Sequence, residues 1–219
     1  MIVMKYHSSS CTLHRIGMLL VALVGFIPLL HAQEDLTIKK LSQKMASSCV
    51  ELEYKYSFRK SGVNMNGEGR LAAQGLCWKL NGNGIEMYCD SSAIWVVDPS
   101  LTEVVIEPAM SESGQAFEVN PAMLLLRMED MFKLRDAVMS ADGKAVVYIL
   151  DPIADANLNY LNVEVLKSDS TIRQATIALK DGDLIKIEVS SMKLTPKQSS
   201  EYFRPQRPFD SNWIVTDLR

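Results

Sequence analysis

Histidine is scarce in this sequence and confined to its start: His7, His14 and His31 are the only three. From residue 33 onward there is none, which removes the commonest general base, the Ser-His and Cys-His nucleophile pairs and the usual zinc ligand. Carboxylate pairs and Ser-Lys arrangements remain available in principle, but no spacing singles one out. A long hydrophobic run is also missing. Ile16 to Leu30 is apolar apart from Gly17, Gly25 and Pro28, and it is shorter than the ~20 residues a spanning helix needs.

That short run is better read with its flanks. Lys5 and Arg15 precede it, no acidic residue occurs before Glu34, and Leu30-His31-Ala32 ends on a small residue. A basic start, an apolar centre and a small-residue exit describe a secretory signal peptide over residues 1–32, cleaved near Ala32. A membrane anchor is the alternative. Cys11 precedes the run, on the wrong side for lipidation. Residues 33–219 then form one domain of ordinary size. Basic runs are lacking there. Without Lys5 and Arg15, 21 basic residues stand against 26 acidic ones, a net of −5. Such a balance argues against nucleic acid and against strong attraction to anionic headgroups.

Three cysteines follow the leader: Cys49, Cys77 and Cys89. No Cys-x-x-Cys occurs, so a redox site is not indicated. Export permits disulfides. Cys77 and Cys89 flank Asn81-Gly82-Asn83-Gly84, and a three-residue hairpin loop at 82–84 places them opposite each other, in position for a bridge. A Cys49–Cys77 pair and three buried free thiols are the alternatives.

The domain opens with one amphipathic helix. Leu36, Leu41 and Met45 recur at helical spacing among Lys39, Lys40, Gln43 and Lys44, with Asp35 as N-cap and Ser47-Ser48 as the end. The period then changes to two. Val50, Leu52, Tyr54, Tyr56 and Phe58 share one face of a strand, and Glu51, Glu53 and Lys55 the solvated other. A loop at Gly62 to Gly69, then strands at Arg70–Leu80, Ile85–Cys89, Ala93–Val97 and Glu103–Glu107 continue the series. Their short connections make them antiparallel. Glu112 to Gln115 is a loop. Pro121 introduces a helix to about Val138, with Leu124, Met128 and Met131 in a stripe beside Leu125 and Phe132. Strands resume at Ala145–Leu150, Tyr160–Leu166, Ile172–Leu179 and Leu184–Ser191, the last two joined at Asp181-Gly182. One or two more lie between Glu201 and Arg219. There is no internal repeat or low-complexity tract. About ten strands interrupted by a helix must close or cover their edges, and a curved sheet roofed by both helical segments would do so.

At this point the chain resembles the LolA family of periplasmic lipoprotein carriers. Gly67-Glu68-Gly69-Arg70-Leu71 is similar to the family's Gly-x-Gly strand start. Asp90 to Trp95, followed by Asp98-Pro99, resembles its Asp-Gly-x-x-x-Trp segment, with Ser91 in place of glycine. Asn120-Pro121-Ala122-Met123-Leu124-Leu125 resembles its Thr-Pro-x-x-Leu-Leu helix start. Asp181-Gly182 sits at the late hairpin, and Phe203, Pro208 and Ile214 to Arg219 resemble the ending Val-x-Asp-x-Arg.

The resemblance implies an incompletely closed antiparallel β-barrel with a helical lid over an apolar cavity. It also implies a monomeric, non-enzymatic chaperone without cofactor or metal. Its cargo would be acylated lipoproteins or another amphiphilic lipid. It would take lipoproteins from an inner-membrane releasing transporter and hand them to an outer-membrane acceptor. Tyr54, Tyr56, Phe58, Trp78, Trp95, Met123, Leu124, Leu125, Met128, Met131 and Phe132 would line the cavity. Met139 would fall in the lid. The same side chains at the same spacing would equally serve as core. The family's lid-holding arginine, in an Arg-Pro pair, has no counterpart, for that region reads Ala73-Gln74-Gly75-Leu76. A glycolipid or envelope-lipid binder and an envelope-stress sensor of the same fold are therefore the rival readings. Asp217 and Arg219 are expected to pair locally, and Glu129 and Asp130 to form a wet helix face.

Overall fold

The computed structural model describes residues 38–60, 63–109, 121–154 and 157–219. The leader at 1–32, Asp35, Leu36 and the 112–115 loop lie outside these residues. The helix α1 covers residues 38–47. Ile38, Leu41 and Met45 recur one turn apart and are buried, while Lys39, Lys40, Gln43 and Lys44 are exposed. The amide of Ser48 donates to the Met45 carbonyl and closes the helix, as the sequence anticipates.

Two meanders follow. The first runs β1 (Cys49–Lys60), β2 (Val63–Gln74), β3 (Cys77–Gly82), β4 (Ile85–Asp90), β5 (Ala93–Asp98) and β6 (Glu103–Pro108). A 3-10 turn at Pro121–Arg127 and one α-helical turn, α2 (Met128–Met131), precede the second. It runs β7 (Phe132–Met139), β8 (Ala145–Pro152), β9 (Leu158–Leu166), β10 (Ile172–Leu179) and β11 (Leu184–Thr195). β11 pairs antiparallel with β1 and so fuses the two meanders. A C-terminal strap at 196–213, with a 3-10 turn at Ser200–Phe203, leads to β12 (Ile214–Asp217), which lies parallel to β6.

Among the described residues the result is one open sheet of twelve strands, with β12 and β7 at its two ends. As expected the barrel is not closed, and one of its pairs is parallel.

The additional strands come from three places where local signals mislead. Val63 to Gly69 is not loop but the first half of β2, despite its Asn and Gly residues. Tyr54 and Tyr56 of β1 stand opposite Gly69 and Gly67, and a Cβ at either glycine would meet those rings at 2.8 and 2.5 Å. The neighbouring rings occupy the space that the missing side chains leave. Arg70 to Leu80 is two strands, not one, because Gly75 (φ +56°) and Leu76 turn the chain.

Phe132 to Met139 is strand, not helix. A bulge between Leu134 and Asp136 shifts the parity, so Phe132 and Leu134 share a face with Ala137 and Met139. The shift hides the period of two, and Phe132 continues the helical stripe of Leu125 and Met128.

The Asn83-Gly84 turn corrects the disulfide expectation. Both residues have positive φ, at +54° and +81°, as a two-residue type I′ hairpin turn requires. Gly82 then pairs with Ile85, Trp78 with Cys89, and Cys77 with Asp90. Cys77 and Cys89 therefore fall on opposite faces and cannot bridge. Cys49, Cys77 and Cys89 are all free thiols.

Candidate functional site: the helix-covered face

Alternation sets the two faces of the sheet apart. Odd-numbered Leu161, Val163 and Val165, then Ala175 and Ile177, then Ile185 and Ile187 all join one cluster, as their shared parity predicts. Val50, Leu52 and Tyr54 join it from β1, Leu71 and Ala73 from β2, and Trp78 and Cys89 from β3 and β4. α1 contributes Ile38, Leu41 and Met45, and the 3-10 turn with α2 contributes Leu124, Leu125 and Met128. Helical segments thus cover one face of the sheet. Among the described residues Asp90 is the one buried charged side chain, and its pairing with Cys77 puts it on the other face.

Most of the expected lining residues meet here. Tyr54, Trp78, Leu124, Leu125, Met128 and Phe132 are buried, and Tyr56 and Met131 pack half-buried at the margin. Phe58 is half-buried farther along the same face of β1. Met123 falls in the 3-10 turn, and its side chain lies outside the described residues. Two expectations need correction. Met139 is half exposed on β7. Trp95 belongs to the opposite face, because β5 pairs it with Tyr88 and Ile106 while Ile94 and Val96 point to the helices.

That opposite face has its own cover, which local sequence signals hardly foreshadow. Trp95 packs with Ala93, Val97, Val104 and Ile106 beneath Phe209 and Trp213 of the strap region. Phe203 is wholly buried against Cys49 and Ala72. Its ring meets Tyr202 edge-on at 5.1 Å. Polar contacts fix the strap as well. Gln74 and Gln198 exchange hydrogen bonds of 2.8 and 2.7 Å, and Arg207 reaches Glu86 at 2.6 Å. The Pro205 and Pro208 signals mark irregular chain, but nothing in them says which face it lies on.

Asp90, first residue of the Asp-x-x-x-x-Trp segment, explains that motif. Its Oδ1 accepts from the Ser92 amide, the Ser92 hydroxyl and the Ala93 amide at 2.8, 2.7 and 3.0 Å. Its Oδ2 accepts from Arg204 Nε at 2.5 Å. Burial pushes the carboxyl up, but these donors outweigh it and hold the pKa at about 2. Asp90 thus shapes the β4–β5 turn and pins the strap. Ser91 has φ +75°, the left-handed conformation that costs an ordinary L-residue roughly 1–2 kcal/mol. Glycine adopts it freely, which is why Ser91 stands out in this turn.

The other charged pairs lie nearer the surface. Arg135 pairs with Asp151, Arg173 bridges Asp142 and Glu164, and Asp217 pairs with Arg219 at 2.7 Å as expected. Glu129 and Asp130 are exposed. Glu51 is less solvated than its strand pattern suggests, since the Tyr202 hydroxyl donates to it at 3.2 Å.

The chain aligns with solved structures at low sequence identity. An uncharacterized conserved protein from Thermus thermophilus aligns at 13% identity over 85% of this chain and 98% of its own, with a TM-score of 0.50. A DUF1329 family protein from Desulfovibrio piger aligns at 12% identity over 78% and 95%, with a TM-score of 0.44. A LolA superfamily protein from Nitrosomonas europaea aligns at 11% over 80% and 98%, with a TM-score of 0.39. No match was found among curated proteins. The family model described as outer membrane lipoprotein carrier protein LolA matches residues 78–206, more than half of the sequence. The chain belongs to the LolA family.

Proposed function

We propose that this protein is a periplasmic carrier that shields the acyl chains of lipoproteins between the sheet and its helical cover during transfer from the inner to the outer membrane. The carrying observation is the apolar cluster on the helix-covered face. Hydrocarbon needs an apolar, water-free lining and no directional contact. In the state described here Leu124, Leu125 and Met128 occupy that lining themselves, each 4 % exposed or less. Withdrawing one such side chain costs ~1.5–3 kcal/mol, and each acyl CH₂ that replaces it gains ~0.8 kcal/mol. A few methylenes therefore offset each displaced lid residue. Cargo exchanges for lid with little net cost, which favours both loading and release.

The test is release from membranes. Purified protein incubated with inner membranes should free lipidated lipoproteins and leave unlipidated versions behind. Release of neither, or of both alike, would sink the carrier reading.

A second reading has one observation behind it. Where the family's lid arginine is expected, Ala73 faces the cluster opposite Val50 and Trp78, Gln74 bonds the strap, and Gly75-Leu76 form a turn. No cation at these positions can latch the cover. A protein without that latch suits an amphiphile of another kind, such as a glycolipid. Mass spectrometry of the protein as purified would then reveal a bound small lipid.

A further inference from the structure

On the face away from the helices, the register sets Lys193, Glu51, Ala72, Lys79 and Tyr88 side by side across β11, β1, β2, β3 and β4. Ala72 leaves the middle of this row low, and Tyr202 and Gln206 of the strap flank it. The result is a groove of about 330 Å³, within the size range of small-ligand sites. It lies behind the sheet from the apolar cluster, so it is independent of the carrier reading.

Lys79 is its unusual member. The residue is half-buried, and its ammonium sits 3.3 Å from the centroid of the Tyr202 ring. Burial pushes its pKa below the ordinary lysine value, with Glu51 opposing the shift in part. The groove's acids have partners within it: Glu53 pairs with Arg70 at 3.2 Å, and Glu51 accepts the Tyr202 hydroxyl. Lys79 and Lys193 make no ion pair and no hydrogen bond among the described residues. An ammonium carries three donors, and an aromatic face satisfies none of them as an oxygen would. Two acids against three cations leave the groove at +1, in a chain that is acidic as a whole.

We propose that this groove binds an oxyanion group, phosphate or carboxylate, with Lys79 as the anchor and Lys193 as the second cation. Anionic oxygen would take the open donors of Lys79 in charge-assisted hydrogen bonds, while Tyr202 keeps the lysine in place.

The test is two-dimensional NMR of the protein titrated with inorganic phosphate and, separately, acetate at constant ionic strength. A saturable shift is expected at the Lys79 side chain and the Tyr202 ring. Lys79→Met retains the apolar stem and should weaken binding by ~tenfold or more, the size of one charge-assisted hydrogen bond. Lys193→Ala should weaken it less, and Lys167→Met, in the exposed β9–β10 turn, not at all. If Lys79→Met fails to fold, the Lys193→Ala titration and the location of the shifts decide. Shifts that do not saturate, that map elsewhere, or that persist unchanged in the variants overturn the site. A water-soluble short-chain phosphatidylglycerol separates the sources. Read at the Lys79 and Tyr202 signals, tighter binding than inorganic phosphate assigns the groove to a lipid headgroup, and equal or weaker binding assigns it to a soluble oxyanion; either sustains the site. Failure of the membrane-release assay would leave these outcomes untouched.

Discussion

Asp90 is buried to 3 % exposure and still ionised, because three donors from its own turn and one from Arg204 surround the carboxylate. A carboxyl lowered from 3.8 to about 2 adds stability that is complete above the ordinary value and is lost as pH falls through the folded value. Asp90→Asn should therefore reduce stability at neutral pH by on the order of 2 kcal/mol. It should also flatten the acid limb between about pH 4 and 2. Urea midpoints measured across that range check both effects; an unchanged acid limb would mean that Arg204 and the turn do not act through the charge. Gly82 makes a second residue-scale case. A Cβ there would meet the Glu68 carbonyl at 2.8 Å, whereas at Gly67 the nearest atoms it would meet are the outer ring atoms of half-buried Tyr56. Backbone yields less readily than a ring. Gly82→Ala should cost ~1–3 kcal/mol and Gly67→Ala distinctly less, with equilibrium unfolding deciding the order.

Among the elements, the C-terminal strap joins parts of the sheet that pairing alone leaves apart. Phe203 is its apolar anchor, and β12 then docks on β6 through the Ile214 amide to the Thr102 carbonyl and the Leu218 amide to the Ile106 carbonyl. Truncating a fully buried phenylalanine costs ~3–5 kcal/mol, so Phe203→Ala should lower stability by roughly that amount. Amide exchange at Ile214 and Leu218 should speed up more than at the β1–β11 pairs. Uniform acceleration would show that the strap is no separate unit. Elements were legible in the sequence where period and turn chemistry agreed. The odd-parity triplets of β9, β10 and β11 and the Asp181-Gly182 turn needed only local alternation. β7 was not legible, because a single bulge shifts its parity, and the first half of β2 was not, because its glycines are filled by the rings of another strand.

At the scale of the molecule, a fixed core and a movable lid predict different behaviour of the helical cover. Leu124 and Met128 separate the two. A glutamate at either position, if the cover stays closed, must bury a charge at a cost of several kcal/mol. If the cover can stand open, the charge reaches water and only cargo binding suffers. For a carrier, Leu124→Glu and Met128→Glu should retain native circular dichroism and lose lipid uptake. Loss of fold in both would identify the stripe as core. The order of the twelve strands bears on this, since β12 and β7 end the sheet unpaired with each other, and an unclosed sheet leaves its cover less tightly enclosed than a barrel would.

Composition and period alone determined that residues 33–219 lack histidine, are mainly β, and form strands with one strongly apolar face. These properties depend on neighbours a few residues apart, and such neighbours can be read along the chain. Only the tertiary structure decided that Trp95 faces away from the helices, that Cys77 and Cys89 cannot meet, and that Tyr202 and Gln206 flank a groove behind the sheet. Each depends on a one-residue register or on partners more than a hundred residues distant, and a shift of one residue exchanges the faces of a strand.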